Sequence, residues 1–498
     1  MIKRYVRRHP VRSQRFFEIL PGVFSWSLIL FPVWGSFLVP HIVAYYVIAF
    51  AVYWLYRSIN LAVLSIAAHL RIKADSAFDW VADLKKTYPD KYQTIQHLII
   101  IPTYKEPIAT LERTLTSLSQ QSLPLNQLHI MLSFEKREGS EAEVKAAQLL
   151  KDFKPLFGNV WATFHPDIQG EIKGKSSNTS WGARMGKKFL VDEAHLDIGK
   201  ITITSEDADA RFHHHYFSDL TYQFLSSKDP YNRVWQGGIV FYNNIWEVPG
   251  PVRVLASIFS VTQLYILMRK DRLVNFSTYS TTLKHVDEIG YWDTDVIPED
   301  YRLFFKSYFA KKGKFEAEPI FLPIYADAAQ SDGFWSTMFN QYEQLKRWAW
   351  GVSDDAYIIR NYITSEDIPF WDKTVRVFKV VEDHFLWPVN WFAITIAAML
   401  PPFLNENFGR TIIGKTLPQV TSFLLTLSLV SMIVIFIIDA INRPPRPKKR
   451  RILSMILQPL EFLMLPVIGF FFSALPGIDA HTRLLLGKYI EYKVTEKV

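Results

Sequence analysis

The sequence predicts an α/β protein in which a mostly parallel sheet domain is inserted between transmembrane helices. Three observations lead there. The middle of the 498-residue chain alternates short β-branched runs with helical spacing, the pattern of strands joined by crossover helices. Apolar runs of bilayer-spanning length flank that middle on both sides. Lysine and arginine cluster at the ends of those runs, as the positive-inside rule requires.

In chain order, Lys3, Arg4, Arg7, Arg8, Arg12 and Arg15 precede an apolar run over residues 20–39. A second run covers 42–56, with Arg57 placed to snorkel to an interface. No small-residue cleavage site follows at signal-peptide distance, so the pair reads as a helical hairpin. Residues 97–103, 128–134 and 160–164 and the run from Ile201 read as four strands. Between them, Ile108, Leu111, Leu115 and Leu118 recur at helical spacing, followed by helix candidates over 141–153 and 176–195. Later apolar runs cover 385–404, 423–441 and 452–475. The loop between the last two contains Arg446, Lys448 and Lys449, and the positive-inside rule places it and the N-terminus in the cytosol. The fifth run would leave the tail from Asp479 outside, unless Pro459 and Pro466 mark a re-entrant or interfacial segment.

Composition excludes several classes. There is no cysteine, so disulfides, thiolate metal sites and thiol nucleophiles are absent. The net charge of +8 is carried beside membrane runs, which argues for membrane lipids as partners and against nucleic acid. No Gly-x-Gly-x-x-Gly and no Walker lysine motif is present, so dinucleotide and P-loop readings lack their phosphate cradles. Length alone implies two or three structural units.

In open parallel sheets, ligands bind outside the carboxyl ends of the strands. Four polar stretches fall there: residues 104–106, 135–138, 170–178, and Asp207 with Asp209. In Ile201-Thr-Ile-Thr-Ser-Glu-Asp-Ala-Asp-Ala-Arg211, the two aspartates are two residues apart, which in an extended chain puts both carboxylates on one side. Hard oxygen ligands of this kind suit Mg²⁺ or Mn²⁺, although alone they read as a strand end that caps a helix. Lys173-Gly-Lys-Ser-Ser-Asn178 offers a cation at Lys175, with Ser177 or Asn178 as cap of a helix whose N-terminus attracts a diphosphate. Asp300, in Pro298-Glu299-Asp300, is either a helix-start carboxylate or a general base. Gln344, Arg347 and Trp348 share one helical face, where Arg347 can hold phosphate and Trp348 can stack on a sugar or a base. The run His213-His-His215 cannot converge on one ion from consecutive helical positions.

These pieces occur in the order Lys-x-x-Asn, Asp-x-Asp, Glu-Asp, Gln-x-x-Arg-Trp. In that order the sequence resembles the membrane-embedded family 2 glycosyltransferases, the cellulose synthase and hyaluronan synthase group, over residues 96–357. The resemblance implies a GT-A-type (Rossmann-like) domain that transfers a sugar from a nucleotide-sugar with inversion. It implies that Asp207 contacts nucleotide and metal and that Asp209 ligates the metal, Mg²⁺ or Mn²⁺. It makes Asp300 the catalytic base, beside Glu299. Gln344, Arg347 and Trp348 would hold the diphosphate and frame the acceptor, and Pro102, Thr103 and Glu106 would open the donor site together with Lys175 and Asn178. Two departures stand out. Ser133-Phe134-Glu135 replaces the family's aspartate at the second strand end, so Glu135 is the candidate contact to the base. Pro298 replaces a threonine before Glu-Asp. The loop after Ile441 is too short for a cyclic-dinucleotide-binding domain.

The expected organisation is a basic cytosolic segment (1–19), a transmembrane hairpin (20–70), a cytosolic catalytic domain (71–330) and interfacial helices with Gln-x-x-Arg-Trp (331–383). A C-terminal transmembrane region of two to three helices (384–477) and a tail (478–498) complete it. The expected function is transfer of a hexose or N-acetylhexosamine from a UDP-linked donor to a glycan acceptor at the cytoplasmic membrane, in polysaccharide synthesis. One alternative is addition of a single sugar to a lipid-linked acceptor, by enzymes that typically lack Gln-x-x-Arg-Trp. The other is a non-catalytic membrane scaffold, which predicts broken acidic motifs.

Overall fold

The computed structural model describes residues 2–445, 459–492 and 495; Arg446, Lys448, Lys449 and the start of the 452–475 run lie outside the described residues. The chain opens with α1 (Ile2–Arg8), α2 (Pro10–Leu38), α3 (Pro40–Ala77) and α4 (Trp80–Thr87). The sheet domain follows as β1 (Gln96–Thr103), α5 (Ile108–Ser119), β2 (Leu128–Glu135), α6 (Ser140–Phe153), β3 (Asn159–His165), α7 (Lys175–Lys187) and β4 (Ile201–Ser205). Next come β5 (Arg211–Phe212), α8 (Tyr216–Ser226), β6 (Arg233–Val240), α9 (Gly250–Leu267), β7 (Tyr279–Thr282), α10 (Leu283–Glu288), α11 (Glu299–Ala310) and β8 (Glu316–Tyr325). Beyond it lie α12 (Phe334–Ala349), α13 (Asp355–Thr364), α14 (Phe370–Thr395), α15 (Leu400–Leu404), α16 (Glu406–Gly409) and α17 (Ile412–Asn442).

The sheet is mixed rather than mostly parallel. Its order is β3-β2-β1-β4-β7-β6-β8-β5. The first four strands run parallel, and β7 is antiparallel to both β4 and β6. β8 returns parallel to β6, and β5 pairs antiparallel with β8. β7 carries no apolar alternation because Tyr279-Ser-Thr-Thr282 buries hydroxyls that bond to one another. Thr204 Oγ1 and Ser280 Oγ lie 2.7 Å apart, and the Tyr216 hydroxyl reaches the same serine at 3.1 Å. Satisfied hydroxyls can occupy a core that hydropathy would reserve for hydrocarbon.

α7 lies unusually close to the sheet. A Cβ on Gly186 would come within 2.5 Å of Leu98, and one on Gly182 within 2.9 Å of Ile100. This approach fixes the N-terminal residue of α7, Lys175, over the carboxyl ends of the central strands.

Among the described residues, five helical stretches are long and apolar enough to cross a membrane: α2, α3, α9, α17 and residues 459–486. α9 escaped the sequence reading. It packs on β6 with Val252, Val254, Val261 and Leu264 buried. The 385–404 run is divided between the end of α14, a break after Thr395, and α15. α14 begins with Lys373, Arg376, Lys379, Glu382 and Asp383, which keep it out of that apolar group. The last apolar stretch meets α9 at its start, and the chain that follows it meets α12. Glu461 pairs with Arg253 at 2.5 Å, and the chain beyond Leu486 brings Tyr492 and Thr495 to Arg347. Tyr492 and Thr495, in the described part of the tail, therefore lie against α12.

Candidate active site

Every residue singled out from the sequence for donor, metal or base work lines one cavity of about 430 Å³. Pro102, Thr103 and Glu106 come from the end of β1, Glu135 from β2, and Lys175 and Asn178 from α7. Asp207 and Asp209 follow β4, Glu299 and Asp300 start α11, and Gln344, Arg347 and Trp348 share the facing side of α12.

The Asp-x-Asp segment is not extended. The Ala210 amide donates to the Asp207 carbonyl at 2.9 Å, so a tight turn rather than strand alternation brings both carboxylates to the cavity. Asp207 Oδ1 lies 2.6 Å from Lys175 Nζ. Asp209 Oδ2 accepts from the Asp327 amide at 2.7 Å, and Asn243 donates to the Asp209 carbonyl at 3.1 Å. Beneath them Glu206 is fully buried, and neither of its carboxylate oxygens finds a hydrogen-bond partner among the described residues. Burial, then the charges of Asp207 and Asp209, raise its pKa well above the usual carboxylate value.

Lys175 joins the acidic groups. Its ammonium meets Asp207 at 2.6 Å, Glu299 at 3.1 Å and the Ser277 carbonyl at 2.5 Å. Burial works against this charge, but Asp207 and Glu299 outweigh it and raise the pKa well above the usual lysine value. One ammonium pairs with two carboxylates and lies near a third, Asp300. Burial raises Glu299 to about 7 against the pull of Lys175, and raises Asp300 against Lys175 and two backbone amides.

Ser277 is a residue that sequence reasoning missed. It sits in the left-handed region at φ 56°, which is costly for a non-glycine residue. Its amide donates to Asp300 Oδ2 at 3.1 Å, its carbonyl accepts from Lys175, and its hydroxyl donates to Asp207. One backbone conformation thus ties Asp300, Lys175 and Asp207 together. No sequence signal marks it, because a serine in this conformation is selected only by partners distant in the chain.

The helix-cap readings change in the structure. α7 begins at Lys175 with Gly174 before it, so Ser177 and Asn178 lie inside the helix. The Asn178 amide instead braces β2, donating to the Ser133 carbonyl and accepting from the Ser133 hydroxyl, both at 2.7 Å. α11 is preceded by Pro298, and Asp300 accepts from the Tyr301 amide at 2.8 Å and the Ser277 amide, so it is no N-cap.

On α12, Gln344 accepts from Gln341 at 3.0 Å, and Trp348 is ringed by Phe241, Phe259 and Phe276 at centroid distances of 5.2–5.8 Å. Arg347 donates to the Thr495 hydroxyl at 2.6 Å and lies 5.0 Å from the Tyr492 ring centroid. Tyr492 and Thr495 therefore rest on a guanidinium that lines the same cavity as Asp207. At the β2 end, Glu135 pairs with Arg137, whose guanidinium stacks 3.8 Å over Tyr104.

Asp207 and Asp209 form an all-oxygen donor set on the cavity wall, which suits a hard divalent cation. No group of three or more His, Cys, Asp or Glu able to hold an ion occurs among the described residues, the run of His213, His214 and His215 included. Phosphate oxygens would therefore complete the shell, the usual arrangement for Mg²⁺.

No family model and no curated protein matches the chain. Among solved structures it is similar to the mannosyltransferase PcManGT from Pyrobaculum calidifontis, determined with GDP-mannose and Mn²⁺, at a TM-score of 0.45 and 13% identity over 79% of this chain and 98% of that one. It is also similar to residues 1–349 of TarS from S. aureus with UDP-GlcNAc, at a TM-score of 0.34 and 10% identity over 80% and 94% of the two chains.

Proposed function

We propose that this protein is an inverting glycosyltransferase that moves a sugar from a nucleotide-sugar to an acceptor hydroxyl at the membrane, with its sheet domain in the cytosol. The observation that carries the reading is the junction of Lys175, Asp207, Glu299 and Asp300 through Ser277, in a cavity that Arg347 and Trp348 also line. A cation among carboxylates, with a second cation across the cavity, suits a diphosphate that arrives with its own metal.

In the step we assign, the acceptor hydroxyl oxygen attacks the anomeric carbon as the bond to the diphosphate oxygen breaks. The bond's electron pair leaves with the nucleoside diphosphate, and Asp300 takes the hydroxyl proton. Attack and departure on opposite faces invert the anomeric configuration, so no second nucleophilic carboxylate is needed. Lys175 and Arg347, both on the cavity wall, are assigned the stabilisation of charge on the leaving diphosphate. Arg347 reaches it by exchanging its bond to Thr495. Asp207 and Asp209 would hold Mg²⁺ or Mn²⁺, which when bound supplies positive charge beside the diphosphate. Trp348, fixed by three aromatic neighbours, offers a face for a sugar ring. Glu135, with Arg137 and Tyr104, is assigned to the base, with a uracil nucleotide the first candidate.

The test is a nucleotide-sugar panel on purified full-length protein, reading nucleoside diphosphate release and product size together. Release of a single nucleoside diphosphate with sugar incorporated into a growing glycan supports polymer synthesis. Failure of every nucleotide-sugar, with the protein folded and metal supplied, would sink the reading.

A further inference from the structure

The cavity has a second wall that the transfer step does not use. It is built from Arg57 on α3, Arg272 on the 268–278 loop, and Arg376, Lys379 and Asp383 on α14. The same loop reaches the base, since Asn275 donates to the Asp300 carbonyl at 2.9 Å and Ser277 holds its carboxylate. His384 of α14 lies against Tyr301, the residue after Asp300, with ring centroids 5.4 Å apart. This wall is therefore the part of the cavity in which a molecule presenting a hydroxyl to Asp300 would rest its other end.

Its charges do not balance. Arg57 pairs with Asp383 at 2.8 Å. Arg272 pairs with Glu382 at 2.7 Å and Asp383 at 3.1 Å. Lys379 and Arg269 share Asp271 at 2.7 and 2.8 Å. Arg376 has no carboxylate within ion-pair distance among the described residues. Its guanidinium reaches only the carbonyls of Lys270 and Leu273, both at 3.4 Å, and lies 5.5 Å from the Phe304 ring centroid. Five cations thus share three carboxylates, and the one of them with no carboxylate in ion-pair reach among the described residues is an arginine that lines the cavity. Half-buried guanidinium without an anion is an expensive arrangement unless a ligand completes it, and its planar fork matches phosphate or carboxylate oxygens. The anchoring charge on α3, an arginine in a helix long and apolar enough to cross a membrane, is of the kind that marks substrate paths.

We infer that this wall is an acceptor subsite for an anionic group, held by Arg376 with Arg272 and Lys379 beside it. The word acceptor rests on the proposed glycosyltransferase reading; the anion site itself rests on the wall's geometry. The shared chemistry is a phosphate or carboxylate, carried either by a lipid phosphate or by an acidic sugar in a glycan.

The experiment measures binding to full-length protein in nanodiscs without any nucleotide-sugar, so it stands apart from turnover. The probes are farnesyl phosphate against farnesol, and a glucuronate oligosaccharide against a neutral glucose oligosaccharide. One charged probe is expected to bind about 10-fold or more tightly than its uncharged counterpart, the size of a charge-assisted contact. Which of the two does so identifies the source of the anion. Arg376→Gln is expected to erase the preference and Arg376→Lys to retain part of it, with unfolding midpoints confirming that both variants fold. Equal binding of charged and uncharged probes in both pairs overturns the inference. So does a preference that Arg376→Gln leaves intact. A glycosyltransferase reading that failed on the nucleotide-sugar panel would leave these binding results standing.

Discussion

If Asp300 is the base, replacing it with asparagine separates chemistry from binding, and the structure sets the size of both effects. In the folded protein Asp300 Oδ1 accepts from the Tyr301 amide and Oδ2 from the Ser277 amide. Asparagine keeps one acceptor, so its NH₂ must oppose one of those amides at a local cost of about 1–3 kcal/mol. The chemical loss is larger, since a general base contributes about 10²–10⁴-fold, equivalent to about 3–5 kcal/mol of barrier. Affinity for the nucleotide-sugar should change little, because the diphosphate and metal are assigned to Lys175, Arg347, Asp207 and Asp209. The pH profile gives a second readout. Burial raises the Asp300 pKa, and a base works only when deprotonated, so wild-type transfer should fall as pH drops through a midpoint above the ordinary carboxylate value. That acid limb should vanish in the variant. The assays are calorimetric titration of the donor and initial rates of nucleoside diphosphate release across pH. Transfer within about threefold of wild type would remove Asp300 from the mechanism, since even a weak base contributes more than that. Equal losses of affinity and rate would instead make it a structural support of the Ser277 loop.

Four other outcomes are expected. Turnover should require Mg²⁺ or Mn²⁺, and Asp209→Asn, which still accepts from the Asp327 amide, should raise the metal concentration needed; full activity in excess chelator would refute the assignment. Asp219 on α8 is raised to about 7 by burial, so its contribution to stability is present below the ordinary carboxylate pKa and is lost as pH rises to about 7. That loss is at most about 4 kcal/mol, and Asp219→Asn should flatten the stability curve over that window, whereas parallel curves for the two proteins would exclude it. A methyl at Gly174 would lie 2.7 Å from the Tyr492 ring while the backbone there is extended, so Gly174→Ala should destabilise by about 1–3 kcal/mol, and Tyr492→Ala should abolish that cost in a double-mutant cycle. Single cysteines placed at Lys3, Arg4 and Lys448 of this cysteine-free chain should be labelled only from the cytosolic side; labelling from outside would overturn the topology.

What the sequence determined by itself is local. The isoleucine-rich β1 and the Leu111–Leu115–Leu118 stripe of α5 specify strand and helix and their order, because burial of one face leaves a period in the residues that make it. Once that order is known, polar residues at the strand ends converge, and every candidate drawn from them lines one cavity. Tertiary structure decided what those residues touch. β7 enters the sheet antiparallel on buried hydroxyls that give no apolar signal, and Asp207 and Asp209 converge through a turn rather than through strand alternation. Ser277 gains its role from Lys175, Asp207 and Asp300, which lie 23 to 102 residues away in the chain. Thr495 reaches Arg347 from 148 residues away in the chain, and Tyr492 packs on the same guanidinium. Arg376 is one basic residue among many in the sequence, and only the fold shows that its neighbours have spent their carboxylates on other cations. Periodicity records that a side chain is buried; the identity of the group facing it is set by segments far apart in the chain, and that pairing leaves no local trace.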